Sequence, residues 1–224
     1  MTDIKDNLLA VKGSLPKGVN LIAISKFHPK EVLKEAYDAG QRIFGESRAQ
    51  ELVEKAVALP ADIQWHFIGH LQTNKIRMIL PYVSLIHSVD SFKLLKAIND
   101  DAKKLDKVID VLLQLHVAKE ETKFGMTEEE CLELVDAYIN TSQFGNVRVR
   151  GVMGMATNTD DETQIREDFR TIKNIFSKLK SGPLSSHQEF SEISMGMSGD
   201  YPIAIEEGAT MVRIGSKIFG QRQY

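Results

Sequence analysis

The sequence predicts an α/β fold, namely a single (β/α)8 TIM barrel with an extra N-terminal helix. Eight short apolar segments alternate with helix-like segments along the 224 residues. The first apolar segment, residues 21–27, is apolar on both faces, which is typical of a parallel strand covered by helices. The chain length fits the range of roughly 200 to over 400 residues for this barrel.

An open, doubly wound sheet is the alternative for a chain of alternating strands and helices. That fold normally carries a glycine-rich phosphate turn after its first strand. Here Phe27, His28 and Pro29 follow the strand, so the sequence lacks this turn. The sequence also contains no long linker, and we therefore expect residues 1–224 to form one barrel domain.

The first half of the chain contains a leading helix and four strand–helix pairs. Ile4, Leu8 and Val11 recur on one helical face and predict the leading helix, which extends to about residue 15. Pro29 begins and Gly40 ends the helix after the first strand, which is the expected order at helix ends. The predicted strands are residues 21–27, 42–46, 64–69 and 84–89, and the helices after them are residues 30–39, a segment ending at 58, 74–80 and 91–105.

The second half repeats this plan. Thr127 and Glu130 form a capping-box pattern, which predicts the start of a helix. Ile165, Phe169 and Ile172 lie on one apolar stripe and predict the clearest helix of the chain. The predicted strands are residues 108–117, 147–155, 189–194 and 210–214, and the predicted helices are residues 127–139, 161–180 and 203–207.

The composition argues against several classes of partner. A net charge of −3 without a long run of one sign gives no reason to expect nucleic acid or an anionic membrane. The N-terminal residues are polar and acidic, unlike a signal peptide, and no apolar run reaches membrane-spanning length. Cys131 is the single cysteine, so no internal disulfide can form, and we expect it to serve packing. We therefore expect a cytoplasmic protein. We also expect a monomer, because no leucine-rich stripe is left over once the helices of the barrel are packed.

Lys26 lies at the carboxyl end of the first predicted strand, where the chemistry of such barrels gathers. A lysine at this place either extends its charged end into solvent or serves as a reactive amine in a pocket. Removal of water from around the amine lowers its pKa, which favours the neutral form that attacks a carbonyl.

Small residues follow the seventh and eighth predicted strands, where this fold usually binds phosphate. Ser194 and Ser216 offer hydroxyl donors, Gly215 permits close approach of the backbone, and a helix N-terminus would add partial positive charge. The alternative is that the small residues only serve tight turns. Because this cluster would lie opposite Lys26 at the mouth of the barrel, the two together predict a ligand that is a phosphorylated aldehyde or ketone held as a Schiff base. This ligand would be either pyridoxal 5′-phosphate (PLP) or, in an aldolase, a sugar phosphate.

Several stretches of the sequence match known motifs, and together they extend from about residue 21 to residue 222. The matching stretches include Ile24-Ser25-Lys26, Trp65-His66-Phe67-Ile68-Gly69, Ser194-Met195-Gly196-Met197-Ser198 and Val212-Arg213-Ile214-Gly215. In these stretches the sequence closely resembles the pyridoxal phosphate homeostasis protein family.

This resemblance implies a barrel like the N-terminal domain of alanine racemases, with PLP bound to Lys26 as an internal aldimine. It also implies that Ser194, Gly215 and Ser216 hold the phosphate. Arg213 would then lie near the pyridine nitrogen, where a cation disfavours protonation of the ring and weakens the electron sink.

Two positions depart from the family pattern. The family often has asparagine where Ser47 stands and proline where His70 stands. Serine has a shorter reach than asparagine, so the resemblance does not imply a cofactor contact from Ser47. His66 and His70 have no third ligand at a recognisable spacing, and we therefore expect no metal site.

A racemase needs two acid–base groups on opposite faces of its substrate, and this sequence continues only a few residues beyond the eighth strand. We therefore expect a PLP-binding protein that serves vitamin B6 and amino-acid homeostasis without catalysis, with apo-enzymes as recipients of the cofactor. An amino-acid racemase is the rival hypothesis, and a Schiff-base aldolase is a weaker third. Lys75 and Lys123 are further candidates for binding the cofactor.

Overall fold

The structure is a computed structural model that describes residues 3–220. Across these residues, eight parallel strands close into a barrel in chain order, and the last strand pairs with the first. This architecture confirms the predicted (β/α)8 barrel. The strands are β1 (Asn20–Ile24), β2 (Ile43–Glu46), β3 (Gln64–Phe67), β4 (Val83–Val89), β5 (Ile109–Gln114), β6 (Val147–Met153), β7 (Glu192–Met197) and β8 (Met211–Ile214).

A helix follows each strand, and an additional helix precedes the first strand, which confirms the predicted leading helix. A single 3-10 turn, Thr73–Lys75, precedes the fourth helix. The helices of the described residues are α1 (Ile4–Ser14), α2 (Lys30–Asp38), α3 (Ala49–Ala58), α4 (Ile76–Ile79), α5 (Phe92–Lys104), α6 (Glu128–Ile139), α7 (Glu162–Ser181), α8 (Tyr201–Glu206) and α9 (Ser216–Phe219).

The helix ends follow from local chemistry. The capping box is confirmed, because the Thr127 side chain accepts from the Glu130 backbone while the Glu130 side chain accepts from the Thr127 backbone. Asp161 caps α7 in a similar way through its side chain. Helix α9 was not predicted, and α1 packs beside it, with the Asn7 side-chain amide donating to the Ile218 carbonyl at 3.2 Å.

Two apolar clusters fill the protein. The larger cluster includes the strand residues that face outward, such as Phe44 and Phe67, together with the inner faces of the helices. The smaller cluster includes Ile22, Leu112 and Met153. It lies inside the barrel, where inward-facing side chains form a packed core.

Two strand boundaries differ from the prediction in ways that affect the site. Strand β1 ends at Ile24, so Lys26 lies two residues beyond the strand. Strand β7 begins at Glu192 and continues to Met197, so the predicted span of residues 189–194 is wrong. The strand takes this position because pairing with β6 and β8 determines it, and Ser194 therefore lies inside the strand.

The single cysteine, Cys131, is fully buried in α6. Burial raises the pKa of the Cys131 thiol to about 12, with a smaller contribution from the nearby Glu128 carboxylate. The thiolate is thus disfavoured at neutral pH. In residues 3–220, no helix combines the length and apolar character that crossing a bilayer would require.

Candidate functional site

A cavity of about 430 Å³ opens at the carboxyl ends of the barrel strands. Lys26, Arg213, Gly215 and Ser216 line it, so four of the five predicted cofactor-binding residues lie around one space. Ser194, the fifth, is buried below the cavity. The other lining residues are Ile24, Ser47, Ile68, Gly69, His70, Gln114, Phe124, Met153, Met155, Met197, Ser198 and Gly199.

The backbone around Lys26 is fixed by contacts on both sides. Before it, the Ser25 carbonyl accepts a hydrogen bond of 2.8 Å from the Lys55 ammonium. After it, the Phe27 backbone N–H donates to a Glu51 carboxylate oxygen at 2.6 Å. Phe27 has φ = 67°, a left-handed conformation that is uncommon for an aromatic residue. Lys26 is therefore presented by a short, strained turn that its neighbours hold in place.

The contacts that hold this turn belong to an ionic cluster of Lys55, Glu46 and Glu51, in which Lys55 and Glu46 are buried and Glu51 is half-buried. The Lys55 ammonium lies 2.7 Å from a carboxylate oxygen of each glutamate. Glu46 is completely buried, and its Oε1 atom also accepts a hydrogen bond of 2.6 Å from the Ser25 hydroxyl. Its Oε2 atom has no hydrogen-bond partner among the described residues. Burial raises the pKa of Glu46 to about 7, although Lys55 and Ser25 oppose this.

The loop after β7 meets the end of β8 on one side of the cavity. The Gly215 backbone N–H donates to the Ser198 hydroxyl at 3.3 Å, which joins the two strand ends. A methyl group added at Gly215 would lie 3.0 Å from the Ile24 carbonyl oxygen, so the backbone here is close to the end of β1. The same addition at Gly199 would meet nothing within 4 Å. The small residues therefore leave open space beside backbone and hydroxyl donors.

Arg213 forms the floor of the cavity and is 4% exposed. Its NH1 group donates hydrogen bonds of 2.8 Å to both the carbonyl oxygen and the hydroxyl of Ser194. Its NH2 group donates a hydrogen bond of 3.0 Å to the Gly154 carbonyl oxygen. Burial lowers the pKa of Arg213 to about 10, which leaves the guanidinium charged at neutral pH. A fixed cation thus lies under the cavity.

The structure places Ser194 below this cation, because β7 continues for three residues beyond it. Its hydroxyl contacts Arg213 and lies 3.0 Å from His87 Nδ1. Ser198 and Gly199 line the cavity after β7, and the hydroxyl there belongs to Ser198, which was not among the predicted cofactor-binding residues.

His87 and His66 form a second buried pair inside the barrel. His87 Nε2 lies 2.9 Å from His66 Nδ1, and the two side chains are buried. His87 belongs to no recognisable sequence motif. The alternation along β4 could have indicated an inward position, since His87 lies two residues after Leu85, a member of the interior cluster.

The rim of the cavity carries an aromatic stack. The His70 ring lies 4.1 Å from the Phe124 ring in a stacked arrangement, and His70 Nδ1 lies 3.4 Å from Asp90. Phe124 is 54% exposed. This stack connects the loops after β3 and β5 across part of the opening.

The two further candidate lysines lie outside the cavity lining. Lys75 is in the 3-10 turn that precedes α4. The Lys123 ammonium donates a hydrogen bond of 2.8 Å to the Ala156 carbonyl oxygen and forms an ion pair of 2.9 Å with the Glu120 carboxylate. Ser47 lines the cavity. Residues 3–220 contain no group of three histidine, cysteine or carboxylate side chains that could hold a metal ion.

Comparison with known proteins supports the sequence resemblance. Residues 1–223 match the family described as alanine racemase, N-terminal domain. A pyridoxal phosphate homeostasis protein of Aquifex aeolicus is 40% identical over 205 residues, which cover 91% of this chain and 87% of the relative.

Solved structures give the same result. PipY of Synechococcus elongatus, at 34% identity, superposes with a TM-score of 0.90 without PLP and 0.87 with PLP bound. Both comparisons cover 97% of this chain and 100% of PipY. An alanine racemase of Clostridium difficile, at 16% identity, shares the fold with a TM-score of 0.80, covering all of this chain and 58% of the racemase. The chain therefore belongs to the pyridoxal phosphate homeostasis protein family, within the alanine racemase N-terminal domain class.

Proposed function

We propose that this protein binds PLP in the cavity at the carboxyl ends of the strands and holds it covalently on Lys26. The observation that carries the proposal is that an amine, a buried cation and a small-residue loop line the same space. The relatives named for PLP homeostasis, and PipY with PLP bound, support the choice of ligand.

The residues of the cavity fit the groups of PLP. A volume of about 430 Å³ falls within the roughly 300–1,000 Å³ typical of small-molecule sites. Ser198 and Ser216 offer hydroxyl donors to a phosphate, and Gly215 lines the cavity without a side chain that would block its approach. Arg213 would lie beside the ring nitrogen. Ser194 is hydrogen-bonded below the cavity, so in this proposal it supports Arg213 and Ser198 takes its place at the phosphate.

The chemistry on the protein side is that of one amine. When bound, PLP supplies an aldehyde and an electron-withdrawing ring. The neutral amine of Lys26 would attack the aldehyde carbon and form a C=N bond, while the carbonyl oxygen leaves as water. Addition of water reverses the bond and frees both partners, so a holder of this kind can also release its ligand.

The arrangement favours a holder over an enzyme. Among the described residues that line the cavity, the ionisable side chains are Lys26, His70 and Arg213. Arg213 is held by three hydrogen bonds and stays charged, so it is a poor proton carrier. A cation at the ring nitrogen would also weaken electron withdrawal, which disfavours loss of an α-proton. We therefore propose that the protein stores PLP and supplies it to apo-enzymes.

An amino-acid racemase is the second candidate, and His70 is the observation in its favour. His70 lines the cavity and could act as an acid–base group opposite Lys26. Its contacts with Phe124 and Asp90 argue that it serves the rim instead.

Titration of the protein with PLP tests the binding proposal. The visible absorption of the lysine-bound cofactor should appear with the native protein and with Lys75→Ala, and it should be absent with Lys26→Ala. Persistence of this absorption in Lys26→Ala would contradict the proposal.

Incubation with an amino-acid panel in deuterated water separates the two candidate functions. A holder should give no steady α-proton exchange with the native protein or with His70→Ala. Exchange at enzymatic rates that His70→Ala abolishes would establish the racemase instead.

A further inference from the structure

A continuous line of polar side chains passes through the interior of the barrel. It starts at Arg213 on the floor of the PLP cavity and continues through Ser194 and His87 to His66, with successive distances of 2.8, 3.0 and 2.9 Å. His66 lines a second cavity, of about 380 Å³, which Asn20 from the first residue of β1 also lines. The four side chains thus connect the PLP cavity with the opposite mouth of the barrel.

The chemistry of the first member gives this line a direction. An arginine side chain only donates, so the Ser194 oxygen accepts from Arg213. The single hydroxyl hydrogen of Ser194 is then available to His87 Nδ1, which must accept it. A neutral His87 ring that accepts at Nδ1 carries its hydrogen on Nε2, and it donates to His66 Nδ1. His66 in turn carries its hydrogen on Nε2.

The reverse direction leaves a group without a partner. If His87 donated from Nδ1, the Ser194 oxygen would accept two hydrogen bonds, and its own hydrogen would need a third partner. Among residues 3–220, the hydroxyl of Ser194 has hydrogen-bond partners only in Arg213 and His87. A buried hydroxyl without an acceptor is costly, so the direction from Arg213 to His66 is favoured.

The charge of each member agrees with this direction. Burial lowers the pKa of His66 to about 3. The pKa of His87 is also well below its usual value, mainly because the ring is buried and in part because His66 and Arg213 lie nearby. Both rings are therefore neutral at pH 7 and keep one accepting nitrogen each. The guanidinium of Arg213 remains the cation of the line.

We propose that Ser194, His87 and His66 are positioning residues that fix the orientation of the Arg213 guanidinium toward bound PLP. NH1 is fixed by Ser194 and NH2 by the Gly154 carbonyl, so the plane of the group cannot turn while these contacts persist. Hydrogen bonds in such chains polarise one another, so the two histidines strengthen the contact that Ser194 makes with Arg213. The inference rests on the proposed function, because the oriented cation serves the cofactor.

Nitrogen NMR of the ¹⁵N-histidine-labelled protein without cofactor tests the direction of the line. Long-range proton–nitrogen correlations show which ring nitrogen carries hydrogen, and His66→Gln and His87→Gln variants assign the two signals. At pH 7, both rings should be neutral with hydrogen on Nε2. Hydrogen on Nδ1 of either ring, or on both nitrogens, would overturn the proposal.

A matched pair of variants at Ser194 tests the positioning role. Ser194→Ala should remove the single Nε2–H pattern of His87 and shift the Arg213 Nε–H resonance, whereas Ser194→Thr, which keeps the hydroxyl, should restore both. An unchanged His87 pattern in Ser194→Ala would refute the role. If either variant fails to fold, the spectrum of the native protein still decides the direction.

These spectra do not depend on PLP. A missing PLP adduct on Lys26 would overturn the proposed function while leaving the tautomer pattern intact. The wrong tautomers together with a normal adduct would overturn only the positioning proposal.

Discussion

The ammonium group of Lys55 lies 2.8 Å from the carbonyl oxygen of Ser25, the residue that precedes Lys26. The same ammonium lies 2.7 Å from a carboxylate oxygen of both Glu46, which is completely buried, and Glu51, which is half-buried. Lys55 therefore connects the charged groups of β2 and α3 with the backbone that carries Lys26. This link requires contacts between residues that are thirty positions apart.

Replacement of Lys55 by methionine should destabilise the protein strongly. Removal of one partner of a buried ion pair leaves uncompensated carboxylates, which costs about 3–5 kcal/mol of the free energy of unfolding. Urea unfolding at pH 7 measures this cost, and PLP affinity should fall with it because the turn at Lys26 loses a partner. The matched control is Lys34→Met, which breaks an exposed pair with Asp38 and should cost under about 1 kcal/mol. Equal losses in the two variants would contradict this role of Lys55.

Glu46 should make stability decline between pH 4.5 and 7. The folded protein raises the pKa of Glu46 from 4.5 to about 7, so in this window the folded state binds more protons than the unfolded chain. Stability contributed by the neutral carboxyl is thus complete below pH 4.5 and is lost as pH rises to 7, by about 3 kcal/mol at most. Urea unfolding of the native protein and Glu46→Gln across this range gives the difference. A difference that does not change with pH would rule out this titration.

The buried histidines should have the opposite effect in acid. Both His66 and His87 have depressed pKa values in the folded state, so the unfolded chain binds more protons below pH 6.5. Each histidine should then contribute a loss of about 1.4 kcal/mol per pH unit as pH falls below 6.5. His66→Gln should flatten this part of the stability curve relative to the native protein. If the curves of the two proteins stay parallel, the His66 pKa is not depressed.

Gly215→Ala should weaken PLP binding more than it weakens the fold. The added methyl group would lie 3.0 Å from the Ile24 carbonyl and 3.3 Å from the Ile24 Cβ, so the ends of β1 and β8 must move apart by a few tenths of an ångström. Gly13→Ala in α1 is a suitable control, because its methyl group would meet nothing within 4 Å. Fluorescence titration with PLP should show reduced affinity only in Gly215→Ala. Normal affinity in that variant would mean that the approach of the two strands is not needed.

The stack of Phe124 on His70 should slow the release of PLP. Phe124→Ala removes one ring from the rim, so the rate of PLP transfer to an acceptor apo-enzyme should rise. Phe92→Ala is the matched control, since Phe92 is also partly exposed but contacts Phe144 away from the cavity. Stopped-flow measurement of both variants compares the release rates. Identical rates would show that the stack does not restrict exit.

The barrel and most of its site could be predicted from the sequence because local patterns encode them. The apolar segment before Lys26 and the capping box at Thr127 each depend on a few neighbouring residues. The end of β7 could not be predicted, because Met195, Gly196 and Met197 lack the branched side chains that are typical of strands. Pairing with neighbouring strands determines that end, and this moves Ser194 away from the cavity.

Contacts distant in sequence account for the remainder. Lys55 lies on α3 and has no motif, yet it holds the turn at Lys26. His87 and Ser194 are 107 positions apart and meet only when the barrel closes. The pattern along β4 could have indicated that His87 faces inward, but its pairing with Ser194 depends on the tertiary structure.

Borohydride reduction of the PLP-treated protein, followed by peptide mass analysis, determines directly whether Lys26 holds PLP covalently. Reduction turns the C=N bond into a stable secondary amine and marks the lysine that held the cofactor. We expect a pyridoxyl adduct on Lys26 and none on Lys75 or Lys123. An adduct confined to another lysine, or no adduct at all, would contradict this expectation.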